Sequence, residues 1–364
     1  MHPLFGCDAA TFARALTANG GVSARHLPRT AGIAAGILAR TPVSLAERAV
    51  MAGQIRRADM PPPIFIVGHW RSGTTHLYNI MSRGGFGYVS PLAAGLPWDM
   101  FGIAAALRPA LEAMLPARRF IDDIPVRPDS PQEDEVPMAN MTDLSFYHGL
   151  YFPKNFENAF NRAVFFDGCS PAEIERWTAR LDYFLRKVWL IQGRRPLLIK
   201  NPAYTARLGL LARLYPGARF IHIVRSPYEV FVSMRNFYAK LFEQLALNRY
   251  DHIDIDTFIL RTYNRLLDRS SEEAAGLGPG RYVELRYEDL EARPLDTVAR
   301  AYDELRLEGF DDARPDFATY LDSVRDYRKN RFTLDAATID RINRECAGPL
   351  ARWGHAAPEP AAAE

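Results

Sequence analysis

Residues 64–77, IFIVGHWRSGTTHL, combine an apolar run, two glycines with four residues between them, and a cluster of donors in Arg71, Ser72, Thr74 and Thr75. A glycine-bounded turn that enters a helix aims backbone N–H groups and the positive end of the helix dipole at one spot. The chemistry on offer is therefore the binding of a phosphate or a similar oxyanion. A nucleotide-hydrolysing loop places a lysine after its second glycine, where it reaches the outer phosphates beside magnesium. Here Thr74 holds that place, and Arg71 is the strong cation. A second stretch, RFIHIVRSPYEVFVSM (219–234), ends its apolar run on Arg225 instead of a metal-holding aspartate. Ser226, Pro227 and Glu229 then form the pattern of a capping box. Ser233 lies about 10 Å further along the predicted helix. Together the two stretches point to an anion held by arginines and N–H groups without a metal. A ligand-free glycine turn, a surface ion pair for Arg225 and simple helix packing for Ser233 are the structural alternatives.

These residues need a scaffold. Ile64–Val67 reads as a buried strand, 68–73 as a turn and 74–83 as a helix. Three more strands are predicted at LLIK (197–200), RFIHIV (219–224) and RYVELR (281–286). Between the first two, Leu208, Leu211 and Tyr215 recur at helical spacing before Pro216-Gly217 stops the helix, which makes a βαβ crossover. The expected class is α/β, a mainly parallel sheet with helices on both faces and ligands at the carboxyl ends of its strands. Residues 1–60 form a helical preface in pieces separated by glycine and proline, and MPPP breaks the chain after it. Ser170-Pro171 opens an amphipathic helix over 171–190. The tail 356–364, AAPEPAAAE, is expected to be disordered.

Composition limits the partners. The 45 basic and 43 acidic residues leave a net charge of +2, so an anion site must be local and nucleic-acid binding is not implied. The three cysteines, Cys7, Cys169 and Cys346, are far apart and odd in number, against a disulfide framework or a clustered zinc site. With no long apolar run and no signal-peptide pattern, a cytoplasmic chain is expected.

Five segments, VGHWRSGTTHL, LLIKNP, ARFIHIVRSPYEVFVSM, YVELRYEDLEARP and YRKNRFT, resemble those of sulfotransferases that use 3′-phosphoadenosine 5′-phosphosulfate (PAPS). The arginine in the loop is similar to that of the tyrosylprotein and bacterial branch. The resemblance implies a P-loop-like mainly parallel sheet flanked by helices, with helical N-terminal and acceptor-side insertions, the latter at about 84–180 of a single domain spanning 61–355. It implies that Arg71, Ser72, Gly73, Thr74 and Thr75 hold the 5′-phosphosulfate and that Arg225 and Ser233 grip the 3′-phosphate. Lys200 would lie near the sulfonate and Tyr287 at the adenine. Lys329, Asn330 and Arg331 would close over the nucleotide, and His76 stands where many members have a tryptophan.

In-line transfer needs a group to take the acceptor's proton. Cytosolic members place a histidine just after the lysine strand, but KNPAY has none. The carboxylates Glu133 and Glu135 of SPQEDE are the expected substitutes, with His69, His76 and His148 as further candidates. A solvated acidic loop is the plain alternative for the carboxylates. The expected activity is sulfonyl transfer from PAPS to a hydroxyl or amine, leaving 3′,5′-ADP. A non-catalytic nucleotide-binding protein is the alternative, and an ATP-dependent kinase is disfavoured by the missing lysine. The apolar segment 91–115 and the aromatics of 146–160 suggest a small-molecule or lipid-like acceptor with peripheral membrane contact, or else ordinary core packing.

Overall fold

A computed structural model describes residues 2–102, 108–113, 127–325 and 333–360. Its sheet has four strands, β1 Ile64–Val67, β2 Leu198–Lys200, β3 Arg219–Val224 and β4 Tyr282–Arg286, in the order β2-β1-β3-β4. β1 runs parallel to β3, and β3 parallel to β4, with Val67 opposite His222 and Val224 opposite Arg286. β1 is buried throughout, and so is β3 apart from its first residue, as expected of parallel strands covered on both faces. The strands fall within a residue of the predicted runs. The chain forms two compact units, one of Met1–Pro61, Gly87–Ile199 and Lys240–Ile253, the other of Pro62–Phe86, Lys200–Ala239 and Asp254–Glu364.

In the first unit, the expected broken preface is instead a short helix, Ala9–Ala18, followed by one 30-residue helix, Leu27–Arg56, that runs through Pro42. Packing overrides the breakers. Ile33, Ile37, Ser44, Glu47, Met51 and Ile55 recur every three or four residues, with one gap of seven, as a buried stripe. Gly36 is required, because a Cβ there would lie 2.1 Å from the Phe5 ring. Ser170 caps helix Pro171–Ile191 with Pro171 first, as the sequence predicts, and Glu173 completes a reciprocal capping box. Phe146, Tyr151, Phe152, Phe156 and Phe160 are at most 2% exposed, so the aromatics of this stretch are chiefly core.

A buried ionic knot ties the long helix to its unit. Glu47 accepts from Lys187 Nζ at 2.8 Å and from the N–H groups of Met100 and Phe101 at 2.9 Å each, while Lys187 also donates to the carbonyls of Pro97 and Trp98. Truncation of one partner leaves the other charge buried and uncompensated. Glu47→Ala is therefore expected to lower the unfolding free energy by about 3–5 kcal/mol, read by urea denaturation.

The second unit has its own clasp at the far end of the chain. Glu284 on β4 accepts Trp353 Nε1–H at 2.7 Å and Tyr282 Oη–H at 3.3 Å, and faces His222 Nδ1 at 3.2 Å. Burial pushes the Glu284 carboxyl up, but the hydrogen bonds from His222, Trp353 and Tyr282 outweigh it and hold the pKa at about 2. A folded-state value below the unfolded one, about 4.3, gives stability that is complete above the unfolded value and is lost as pH falls through the folded one. Thermal unfolding followed from neutral pH into this acid window should show the midpoint falling, and Trp353→Phe should make that fall shallower.

Candidate active site

The loop after β1 belongs to the second unit and is built by backbone conformations that few residues tolerate. Gly68 and Gly73 have φ of 142° and 98°, and Arg71 itself has φ of 69°. A side chain at Gly68 would meet the Ile223 carbonyl at 2.4 Å, and one at Gly73 would meet Tyr287 Cδ2 at 2.2 Å. The glycines thus let the loop lie against β3 on one side and Tyr287 on the other. Helix Thr74–Met81 follows directly, and its first bond back to the loop runs from the Leu77 N–H to the Gly73 carbonyl at 3.2 Å. The N–H groups of Thr74, Thr75 and His76 precede that bond, so they form the donor end of the helix.

Arg71 carries two connections. Its Nε donates to Ser233 Oγ at 2.9 Å, and its carbonyl accepts from a terminal nitrogen of Arg225 at 3.0 Å. Residues expected at opposite ends of a ligand are therefore linked directly. Arg225 sits at the end of β3 with its guanidinium carbon 4.2 Å from the centre of the Tyr287 ring and its Nε 2.7 Å from Glu229. Tyr287 opens helix Tyr287–Ala292 and is packed between Gly73 and Arg225. At the end of β2, Lys200 is buried and donates to Thr75 Oγ1 at 3.2 Å. Ser72 is also buried, and its hydroxyl has no hydrogen-bond partner among the described residues. A buried hydroxyl costs free energy unless a partner satisfies it. Together with the two glycine cradles, it fits the loop to an oxyanion.

Two supporting residues went unnoticed in the sequence. Thr205 Oγ1 accepts the Gly68 N–H at 2.7 Å, and Tyr263 donates its hydroxyl to the Arg225 carbonyl at 2.8 Å. Thr205 lies only five residues after Lys200, in the short helical turn Pro202–Ala206. Tyr263, from helix Ile255–Ala274, has no local signal, because its bond spans 38 residues.

The other candidates divide between the two units. His69 is buried, and its Nδ1–H donates to the Trp70 carbonyl at 2.8 Å; burial pushes its pKa down to about 4, against the raising effect of that bond. His76 lies with its ring centre 6.4 Å from that of Tyr320. In the first unit, His148 is fully buried with its ring nitrogens 2.9 and 3.3 Å from the carbonyls of Ala139 and Asp143, a core position unsuited to taking an acceptor's proton. Glu135 is buried, and its carboxylate accepts Ser145 Oγ at 2.7 Å and the Phe146 N–H at 3.2 Å at the start of helix Phe146–Tyr151. Glu133, two residues earlier, is half-buried. Lys329, Asn330 and Arg331 lie outside the described residues.

A model of the Sulfotransferase family matches residues 62–312, which takes in all four strands and the loop. The chain belongs to this family, and it is an enzyme of sulfonyl transfer. It is 30% identical over 307 residues, 82% of its own length and 77% of the relative's, to omega-hydroxy-beta-dihydromenaquinone-9 sulfotransferase Stf3 of Mycobacterium tuberculosis. The Stf3 of Mycobacterium bovis matches to the same extent. The crystal structure of sulfotransferase STF9 from Mycobacterium avium is similar with a TM-score of 0.65 at 15% identity, over 95% of this chain and 96% of that one. Sulfotransferase STF1 from Mycobacterium tuberculosis gives 0.62 at 18% identity, over 93% and 90%. These two show the shared fold.

The packing of Gly73 against Tyr287 gives a test of the loop geometry. Gly73→Ala combines an unfavourable φ, worth about 1–3 kcal/mol, with a clash. It should lower the urea midpoint, and adding Tyr287→Ala should recover only the part due to the clash.

Proposed function

We propose that the chain transfers the sulfonyl group of PAPS to a hydroxyl of a lipid-like acceptor and releases 3′,5′-ADP without a metal. The loop carries the reading: a buried Ser72 hydroxyl with no partner among the described residues, beside Arg71, at the donor end of a helix. Members of the family generally use PAPS, and the chain's resemblance to a sulfotransferase of a menaquinone derivative supports an apolar acceptor.

The acceptor oxygen forms a bond to sulfur as the bond from sulfur to the phosphate oxygen breaks. Arg71, Thr74, Thr75 and the helix N–H groups would stabilise the negative charge that collects on the leaving phosphate. Lys200, buried beside Thr75, would place a positive charge near the same oxygens. Arg225 and Ser233 would hold the 3′-phosphate, with Tyr287 against the nucleotide. An arginine suits the loop because it stays charged and donates through a planar fork. We keep Glu133 as the base on the carboxylate pattern of SPQEDE alone. The acceptor's proton would pass to the Glu133 carboxylate.

Incubating the protein with labelled PAPS and a lipid extract, then identifying the product by mass spectrometry, tests the acceptor. Label confined to polar glycans would overturn it. Arg71→Ala should lower kcat by about 10²–10³-fold, as for loss of one oxyanion-stabilising donor, with Arg71→Lys recovering part of the rate. Glu133→Gln should lower kcat by about 10²–10⁴-fold while leaving the KM for PAPS unchanged. Arg225→Ala should act mainly on that KM.

A further inference from the structure

Helix Leu27–Arg56 is apolar on its outer face as well as its inner one. Its charged residues in the middle turn toward its own unit: Arg40 bonds Asp99, Glu47 bonds Lys187, and Arg48 lies 3.5 Å from the centre of the Trp98 ring and 2.8 Å from Asp8. Opposite the buried stripe of Ile33, Ile37, Met51 and Ile55, a second set of apolar residues faces water. Leu27, Leu38, Leu45 and Val50 are 56%, 63%, 55% and 76% exposed, and Tyr250 is the sole other large apolar side chain so exposed among the described residues. Every exposed position of the helix between Ala31 and Val50 carries alanine, glycine, proline, leucine or valine. Leu27, Ala31, Leu38, Leu45 and Ala49 follow at intervals of four and seven, which sets them in one stripe along the axis. A face of this kind on a folded protein marks an interaction surface.

The ends of the stripe say what covers it. Arg25 and Arg29 stand exposed at one end, Arg56 and Arg57 at the other, and none makes an ion pair with a carboxylate among the described residues. A second copy packed along this helix, in either direction, would bring arginines against arginines. An anionic lipid surface instead supplies phosphates for the four guanidinium groups and an acyl boundary for the leucines. No helix among the described residues is long and apolar enough to cross a membrane, so the helix would lie in the interface. We propose that the exposed face of Leu27–Arg56 docks the enzyme on an anionic bilayer. The inference rests on the lipid-like acceptor reading for its purpose, since docking would bring the enzyme to the phase where such an acceptor resides.

The test is sedimentation of the full chain with vesicles of phosphatidylglycerol and phosphatidylcholine, with neither PAPS nor acceptor present. The protein should pellet with the anionic vesicles, less so at high salt, and Leu38→Glu/Leu45→Glu should weaken this partition at least about tenfold. Replacement of Arg25, Arg29, Arg56 and Arg57 by glutamine should remove the preference for phosphatidylglycerol over pure phosphatidylcholine. Circular dichroism and the thermal midpoint of both variants should match the parent, since these side chains are solvent-facing. Absence of pelleting by the parent, or equal pelleting by the leucine variant, would overturn the proposal. So would light scattering that shows a dimer lost in that variant, since the occupant would then be a second copy. Because no acceptor enters this assay, its failure leaves the acceptor reading to be decided by label transfer.

Discussion

The hydrogen bond from the Arg225 guanidinium to the Arg71 carbonyl holds the site together. An arginine in the left-handed region is unfavourable by itself, and the surrounding structure must over-determine it. Arg225 does this from the end of β3, where it is itself fixed by Tyr287, Glu229 and the Tyr263 hydroxyl on its own carbonyl. Thr205 pins the start of the loop at the Gly68 N–H. The left-handed turn, the parallel strand and the following helix are thus parts of one constraint. Its output is a set of donors fixed before any anion arrives, the condition under which electrostatic stabilisation is most effective.

The first unit obeys a different economy. Its long helix contributes the Glu47–Lys187 pair and the Arg40–Asp99 pair to the interior, where desolvation makes such groups costly unless every donor and acceptor is met. Here the backbone N–H groups of Met100 and Phe101 and the carbonyls of Pro97 and Trp98 complete the coordination of Glu47 and Lys187. With charged pairs inside, apolar surface is left outside, and that arrangement connects the packing of the unit to the docking proposed for it.

Much of the sheet and its loop was legible in the sequence because its signals are local. Apolar runs marked all four strands, Pro216-Gly217 ended the crossover helix, and the glycine spacing marked the turn whose φ values require it. The direct bond between Arg71 and Ser233 was not legible, since spacing along one helix says nothing of what reaches it from another element. Glu135 misled for the opposite reason: an acidic cluster in sequence looks alike whether it faces solvent or caps a helix, and only the fold shows its carboxylate on Ser145 and Phe146. Glycine and proline also misread the preface, where the close approach of Phe5 to Gly36 and the buried stripe carry one helix through Pro42.

The positive φ of Arg71 sets backbone and side chain at odds within a single residue. Glycine at this position would keep the carbonyl that Arg225 needs and relieve the left-handed strain, yet it would delete the guanidinium. A directed-evolution campaign that scored only heat tolerance would therefore drift away from arginine at residue 71. Under the proposed function, selection for turnover is what keeps the arginine in place.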